Sequence, residues 1–343
     1  MTRKLASVQV VTDIVPIEGA DRIELAKVLG WQCVALKGEF QKGDLAVYFE
    51  VDSYLPVCDK FEFLRKTSYK KSNLMGEGFR LRTMKMRGEI SQGLLQPMSI
   101  LPEGDWKIGD DVTEVLGVRK WEIEEFTDHS GTVIAELPEY ITKTDEMRVQ
   151  SMPGLIEEFK NAGRYYITTK MDGSSCTLWI DNGRIRCGGH NYEFADDGKS
   201  GFWEYIKKKG IEEKVRTLAV DNLTIQGEFC GGGIQKNKLK LKSPEWYVFT
   251  IEDRTANRRL SLFNMVSVCE KLGLAMVPVE EIGDKFAYDT VEKLLDRAKG
   301  RYESGNRKEG VVIRPVIPCY SKVLDAPLSM KVLNNEYLLK DAG

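Results

Sequence analysis

Apolar and polar positions alternate in short runs through roughly the first third of the chain, then give way to longer mixed segments. Ala6–Val11 alternates, Ala26–Leu29 and Gln32–Leu36 follow, and Leu45–Phe49 comes after the turn Lys42-Gly43-Asp44. Ile17–Glu24 reads as a loop that positions the next strand. Arg80–Gly88 alternates basic with mostly apolar residues, as a strand with one wet face does, and Ile90–Pro97 continues the series. Short strands at this spacing, ending near Val112, predict a small closed barrel. Beyond residue 140 the periods mix. Helical spacing predicts helices over 154–161, 201–217, 260–272 and 290–303. Strands are expected over 164–170, 176–180, 184–187, 223–229, 246–251 and 310–314. The expected class is α+β: a barrel at residues 1–125, a linker at 126–139 and a mixed-sheet domain at 140–343. The linker is placed where the acidic stretch 103–139 loses periodicity between Thr127 and Pro138, around Gly131.

Composition narrows the chemistry. The 343 residues are 42% hydrophobic and 30% charged, the balance of a folded globular protein. A net charge of −2 excludes a globally basic nucleic-acid binder and leaves room for a local basic face. No apolar run reaches the ~18 residues that span a bilayer, so no membrane partner is expected. The 7 cysteines are scattered, with no C-x-x-C spacing, which points to reduced thiols in an intracellular compartment, cytoplasm or nucleus, and away from a zinc site. With His129 and His190 the only histidines, the chemistry falls to Lys, Arg, Asp and Glu.

Two stretches suggest where that chemistry lies. From Lys60 to Arg87, Lys and Arg are interleaved with Phe61, Phe63, Tyr69 and Phe79, the mixture with which a strand-tracking groove neutralises phosphates and stacks bases. The same residues equally describe a solvated loop with its aromatics packed inward. In Tyr165–Ser175 a β-rich run delivers Lys170, with Asp172 and Gly173 close behind. A lysine is a nucleophile only when neutral, so a site that used Lys170 would need to lower its pKa from ~10.4. Asp172 could hold a metal ion, and Gly173 would let the backbone turn and approach a phosphate. Read alone, the stretch also serves as an ordinary Lys-x-Asp-Gly hairpin.

Further stretches follow in a set order: Gly227-Glu228-Phe229-Cys230-Gly231-Gly232-Gly233, the aromatic strand Tyr247–Ile251, Glu309-Gly310-Val311-Val312, and Lys331 inside an apolar run. Together with Lys170-Met171-Asp172-Gly173 they resemble the motifs of the covalent nucleotidyltransferases, the DNA and RNA ligases and mRNA capping enzymes. The Gly227–Gln235 segment looks like the RNA-ligase form, and Lys143–Gln150 resembles a segment of the same ligases. The first part of the chain, with its Gly19-Ala20-Asp21 loop, Arg87-Gly88 and Ser91-Gln92-Gly93, looks like an OB-type nucleic-acid-binding module. That module precedes the catalytic motifs, whereas DNA ligases and capping enzymes carry theirs after. The whole chain is similar to the Deinococcus/Naegleria-type ATP-dependent RNA ligases.

The resemblance implies that Lys170 attacks the α-phosphorus of ATP and carries AMP, which passes to a 5′-phosphate before a 3′-hydroxyl seals the strand. It implies Asp172, Glu309 and Glu228 as the carboxylates for Mg²⁺ or Mn²⁺, Glu228 also for the ribose, Phe249 stacked on adenine and Lys331 on the α-phosphate. Gly173, Arg148, Gln150, Thr169 and Asn191 join them as nucleotide-binding positions. A divalent cation beside Lys170 would lower its pKa. The implied partner is RNA ends or a nicked RNA or RNA/DNA duplex, met by a monomer. Two features depart from the pattern. Gly188-Gly189-His190-Asn191 stands where relatives often have Ser-Arg-Asn, and Ser329 precedes Lys331 where a second lysine is usual. Lys236, Lys238, Lys240 and Lys242 lie at period two; if extended they share one face, either gripping pyrophosphate or RNA or forming a solvated edge. The rival readings are a GTP-using capping guanylyltransferase and a non-catalytic OB-type RNA-binding protein.

Overall fold

The computed structural model describes residues 3–122, 131–218, 220 and 222–341. They form two compact units. The first takes residues 3–122 with 147–153 and 335–341; the second takes 131–146 with 154–334. This division departs from a simple cut at the linker. Part of the expected linker, 126–130, lies outside the described residues, and Val133–Glu136 is a strand of the second unit's sheet. The segment 147–153 belongs to the first unit, where the Gly30 N–H donates to the Gln150 carbonyl at 2.9 Å. The C-terminal helix does too, with Gln92 Nε2 donating to Asn335 Oδ1 at 3.2 Å.

In the first unit the strands are β1 (Ala6–Val10), β2 (Asp13–Pro16), β3 (Ile23–Val28), β4 (Trp31–Leu36), β5 (Leu45–Phe49), β6 (Ser53–Pro56), β7 (Tyr69–Ser72), β8 (Gly76–Arg80), β9 (Met84–Met86), β10 (Glu89–Ser91), β11 (Leu94–Pro97) and β12 (Arg119–Lys120). They pair as antiparallel sheets β1-β5-β11, β2-β3-β4, β12-β6-β8-β7 and β9-β10. Strand β5 is covered on both faces: Val47 and Phe49 enter one core with Leu55, Phe61 and Phe79, while Ala46 and Tyr48 enter another with Trp31 and Leu95. Even the polar positions of β1 are buried, and Gln9 Nε2 donates to Ser7 Oγ at 2.9 Å. The expected strand 80–88 is in fact broken. β8 ends at Arg80, and Arg87 and Gly88, with φ of 49° and 90°, make the two-residue turn of the β9–β10 hairpin. In the basic segment, Phe61 and Phe79 are core residues and Tyr69 lies beneath the Arg65 guanidinium, 4.8 Å from its ring centroid. Phe63, at 57% exposure, is the aromatic of this segment that faces solvent.

The second unit holds two sheets. The larger runs β13 (Val133–Glu136), β17 (Tyr192–Phe194), β16 (Arg184–Gly188), β15 (Ser174–Asp181), β18 (Leu223–Cys230), β19 (Glu245–Asp253), β20 (Arg258–Arg259), with β21 (Ala275–Met276) pairing parallel to β19. The smaller runs β22 (Val279–Gly283), β14 (Tyr165–Lys170), β23 (Gly310–Pro315), then a strand at Met330–Leu333, all antiparallel. Helices Gly201–Lys208, Ile211–Arg216 and Leu262–Leu272 bring Phe202, Trp203, Ile206, Val215 and Met265 against the larger sheet's Leu178, Ile225, Phe229 and Trp246. The single helix expected over 201–217 is two, because Gly210 sits at φ 60°, where the chain turns between them. Among the described residues no helix is long and apolar enough to cross a membrane.

Candidate active site

Lys170 ends the buried strand β14, and sheet register decides what stands around it. Thr168, Val312 and Lys331 oppose one another across three strands. Directly opposed residues share a face, so Lys170, two positions on from Thr168, points the same way. All four line an open cavity of about 190 Å³, with Glu146, Asp145, Ser175, His190, Glu228, Phe249 and Arg314 around it. Ser175 and Glu228 face each other on β15 and β18 of the other sheet. Phe249 reaches the cavity through a β-bulge. Gln226 pairs with Thr250 and Gly227 with Val248, which leaves Phe249 unopposed and re-aims its ring. Arg314 fixes that ring's strand: its Nη1 donates to the Phe249 carbonyl and, at 3.0 Å, to Thr250 Oγ1, while Nη2 pairs with Glu146.

The backbone around the lysine is clamped. Lys170 pairs with Gly310 in the sheet, and the neighbouring Glu309 places Oε2 2.8 Å from Lys170 Nζ. Tyr302, on the loop before β23, donates its hydroxyl to the Lys170 carbonyl at 2.8 Å and accepts from the Glu309 N–H at 3.0 Å. Gly310 has φ 154°, and a Cβ there would lie 2.1 Å from the Val332 carbonyl oxygen. Gly173 is needed for space, not for a left-handed turn: a Cβ would meet the Phe229 carbonyl at 2.4 Å and Cys230 Sγ at 2.7 Å. Its N–H donates to Glu228 Oε1 at 3.1 Å.

In the metal-free site the surrounding charges keep the lysine protonated. Burial pulls the Lys170 pKa down, but Glu309, Glu228 and Glu146 outweigh it and hold the ammonium well above its ordinary value. The carboxylates feel one another. Burial, reinforced by Glu309, raises Asp172. Burial pushes Glu228 up to about 7, with Lys170 opposing and Glu309 and Asp172 adding to the rise. Without a bound cation, then, Lys170 is a charged partner of Glu309.

The expected site residues separate into groups. Lys170, Thr169, Glu228, Phe249 and Lys331 line the cavity; Gly173 and Glu309 adjoin it through the contacts above, and Asp172 lies near enough to couple in charge with Glu228 and Glu309. Asn191 lies at the β16–β17 turn, where its Oδ1 accepts from Lys143 Nζ at 3.0 Å, while its neighbour His190 stands 3.5 Å from Asp145. Arg148 and Gln150 belong to the first unit. There Arg148 pairs with Asp52 at 2.7 Å and lies 5.7 Å from the Trp31 ring, and Gln150 is fully buried. The four lysines at period two do not form a strand: Gln235, Asn237 and Lys240 have φ of 47°, 41° and 55°. Lys236 and Lys242 are exposed, but Lys238 is buried with Nζ 3.4 Å from Asp172 Oδ2. The sequence marks Lys238 only as one of four lysines at period two and Glu146 only within Lys143–Gln150, and it offers no signal for Tyr302 or for the role of Arg314.

Asp172, Glu228 and Glu309 are not set as a three-ligand cage, and among the described residues no group of three His, Cys, Asp or Glu is. Their chemistry still fits a hard divalent cation. Mg²⁺ is usually held by one or two carboxylate oxygens, completed by water and phosphate, and the mutual repulsion of these carboxylates favours a cation between them.

A lysine at a strand end, an aromatic ring across the cavity and a second lysine beside it are what nucleotide transfer through lysine requires. An RNA ligase family model matches residues 163–332, and an OB-fold domain model matches residues 5–98. A variant of the Naegleria gruberi RNA ligase, solved with ATP and Mn, is 35% identical over 98% of each chain, with a TM-score of 0.89. The chain belongs to the RNA ligase family. The Naegleria ligase with PPi is 34% identical over 99% of each chain, and a variant with AMP and Mn is 35% identical over 98% of each, both with TM-scores of 0.89. No curated protein matches the chain.

Proposed function

We propose that this RNA ligase uses ATP and a divalent cation to join 3′-hydroxyl and 5′-phosphate ends at nicks in RNA or RNA/DNA duplexes, as a monomer in a reducing compartment and in the service of RNA repair. The observation that carries the reading is Lys170 at the wall of a cavity that also presents Phe249, Lys331 and Glu228. The relatives solved with ATP, AMP and PPi support it, because these are the substrate, transferred group and leaving group of nucleotidyl transfer to a lysine.

Neutral Lys170 attacks the α-phosphorus of ATP. The N–P bond forms as the bond to the bridging oxygen breaks, and pyrophosphate leaves. The N–P bond then breaks as a 5′-phosphate oxygen takes the AMP, and a 3′-hydroxyl displaces AMP to make the phosphodiester. Phe249 stacks on adenine, Lys331 neutralises the α-phosphate, and Glu228 meets the ribose. Asp172 and Glu309 hold the divalent cation, directly or through its waters. When bound, it supplies the charge that screens Glu309 and lowers the Lys170 pKa. Glu309 and Tyr302 keep the Lys170 strand end in place.

The test is to incubate the protein with ATP or GTP labelled at the α-phosphate, with Mg²⁺ or Mn²⁺, and to follow label that stays on the polypeptide through denaturing electrophoresis, resists alkali and is released by acid, as a lysine phosphoramidate is. Label from ATP that is lost in Lys170→Ala, together with sealing of a nicked duplex, is the expected result. Label from GTP would support a capping enzyme, and no label from either would leave a binding protein.

A further inference from the structure

Lys238 is a buried cation that the reaction above does not use. Its segment turns three times through left-handed non-glycine residues, a conformation that costs about 1 kcal/mol or more at each. Those turns are secured from outside. Ser304 Oγ and Asn306 Nδ2 both donate to the Lys238 carbonyl at 2.6 Å, and Lys240 Nζ donates to the Ser304 carbonyl at 3.2 Å. Asn237 closes the next turn through Nδ2 to the Leu241 carbonyl and Oδ1 from the Leu241 N–H, each 3.1 Å. The ammonium is thereby held 3.4 Å from Asp172 Oδ2, with both side chains largely shielded (8% and 14% exposed). A lysine is rarely buried unless it is paired, because its ammonium is strongly hydrated.

Each carboxylate assigned to the divalent cation thus faces a lysine: Glu309 faces Lys170 at 2.8 Å, and Asp172 faces Lys238. Lys170 is there to be the nucleophile. Lys238 lies on a loop stitched to the one that carries Tyr302 and Glu309, and it is not among the residues that line the nucleotide cavity.

We propose that Lys238 is a tethered counter-cation that occupies Asp172 in the metal-free protein and competes with the divalent cation for it. Metal binding is then an exchange of one cation for another, not the filling of a bare acidic cluster. The exchange has two effects. In the free protein Lys238 holds Asp172 against the repulsion of Glu309. It also weakens binding of the metal alone, so that the metal enters preferentially where ATP phosphates supply further oxygens. The inference rests on the reading that Asp172 faces the divalent cation.

The test measures Mn²⁺ binding to the full-length protein by the electron paramagnetic resonance signal of free Mn²⁺, without nucleotide and with ATP. Lys238→Met, which keeps the stem and removes the charge, is expected to bind Mn²⁺ without nucleotide on the order of tenfold more tightly, as when one like charge leaves a partly screened site. Lys238→Arg is expected to stay within about twofold of the parent, since the charge is kept. In an Asp172→Asn background, Lys238→Met is expected to change nothing further. Unchanged or weaker Mn²⁺ binding in Lys238→Met, or equal tightening with Asp172→Asn, overturns the inference, while Mn²⁺ binding by the parent with ATP leaves the metal reading standing. Absence of Mn²⁺ binding by the parent even with ATP overturns both. Melting in EDTA shows whether Lys238→Met folds. If it does not, the paired Ser304→Ala/Asn306→Ala variant, which releases the Lys238 carbonyl and keeps its ammonium, is expected to tighten Mn²⁺ binding, and no change there overturns the proposal.

Discussion

Glu280 on β22 stabilises the strand that carries Lys170, and Glu280→Gln should expose how much. Its carboxylate accepts from Lys308 Nζ at 2.7 Å through both oxygens, from Arg297 Nη1 at 2.6 Å and from Thr169 Oγ1 at 2.7 Å, one residue before Lys170. Arg297 keeps a second partner in Glu281 at 3.1 Å, but Lys308, with a side chain 7% exposed, would be left without the carboxylate it pairs with. Leaving one charge of a buried pair uncompensated costs about 3–5 kcal/mol. At about 2–4 °C per kcal/mol for a unit of this size, the melting temperature at pH 7 should fall by roughly 6–20 °C.

The pH dependence gives the mechanism its own test. Burial works to raise the Glu280 pKa, yet the bonds from Lys308, Thr169 and Arg297 outweigh it and hold the value below the ordinary one. The unfolded chain therefore takes up the proton first as the pH falls. The stabilisation is full above the unfolded value of about 4.3 and is lost as the pH drops through the folded one. The gap between the parent and Glu280→Gln should be at its full size at pH 7 and narrow as the pH falls below about 4.3. Melts followed by circular dichroism across pH 3–8 measure both. A variant as stable as the parent at pH 7, or a gap that stays constant into acid, would refute the reasoning.

Two further substitutions test the clamp on Lys170. Tyr302→Phe leaves a partly buried carbonyl and a partly buried N–H without their shared hydroxyl, which should cost about 1–3 kcal/mol in urea melts and slow lysine labelling at saturating ATP; parental values for both would remove Tyr302 from the clamp. Gly310→Ala drives a methyl into the Val332 carbonyl, a backbone atom that cannot yield, so the denaturation midpoint should report a loss of about 3 kcal/mol or more, and labelling should disappear.

The sequence was most informative where hydrophobic runs are long and buried. The strands expected over 164–170, 176–180, 184–187, 223–229, 246–251 and 310–314 are all present, extended by a residue or two at most ends. It was least informative where one residue reverses the chain. Arg87-Gly88 ends a predicted strand and Gly210 cuts a predicted helix, because a positive φ ends either element whatever the flanking periodicity, while the same strand also breaks at residues 81–83. It also missed strands whose stability comes from afar. β22 reads Val-Glu-Glu-Ile-Gly, a poor strand by composition, yet its two carboxylates meet Lys308, Arg297, Tyr165 and Tyr288, which lie 7 to 116 residues away along the chain.

The same distinction explains why Lys170 stands out in the sequence as the candidate nucleophile while its charge does not. Lys170, Asp172, Glu228, Glu309 and Lys331 stand out by motif order. The pKa of Lys170, however, depends on a balance that no motif contains. Burial favours the neutral amine, and three carboxylates from three other segments favour the ammonium, the strongest of them 139 residues away in sequence and 2.8 Å away in space. In the free protein the carboxylates prevail. On the proposed reading, Lys170 held as an ammonium is stored, not activated, and Glu309 both stores it and fixes its position. Loss of that proton thus belongs to the loaded enzyme. Labelling of Lys170 should therefore depend on how the charge on Glu309 is met, and not on burial of the lysine alone.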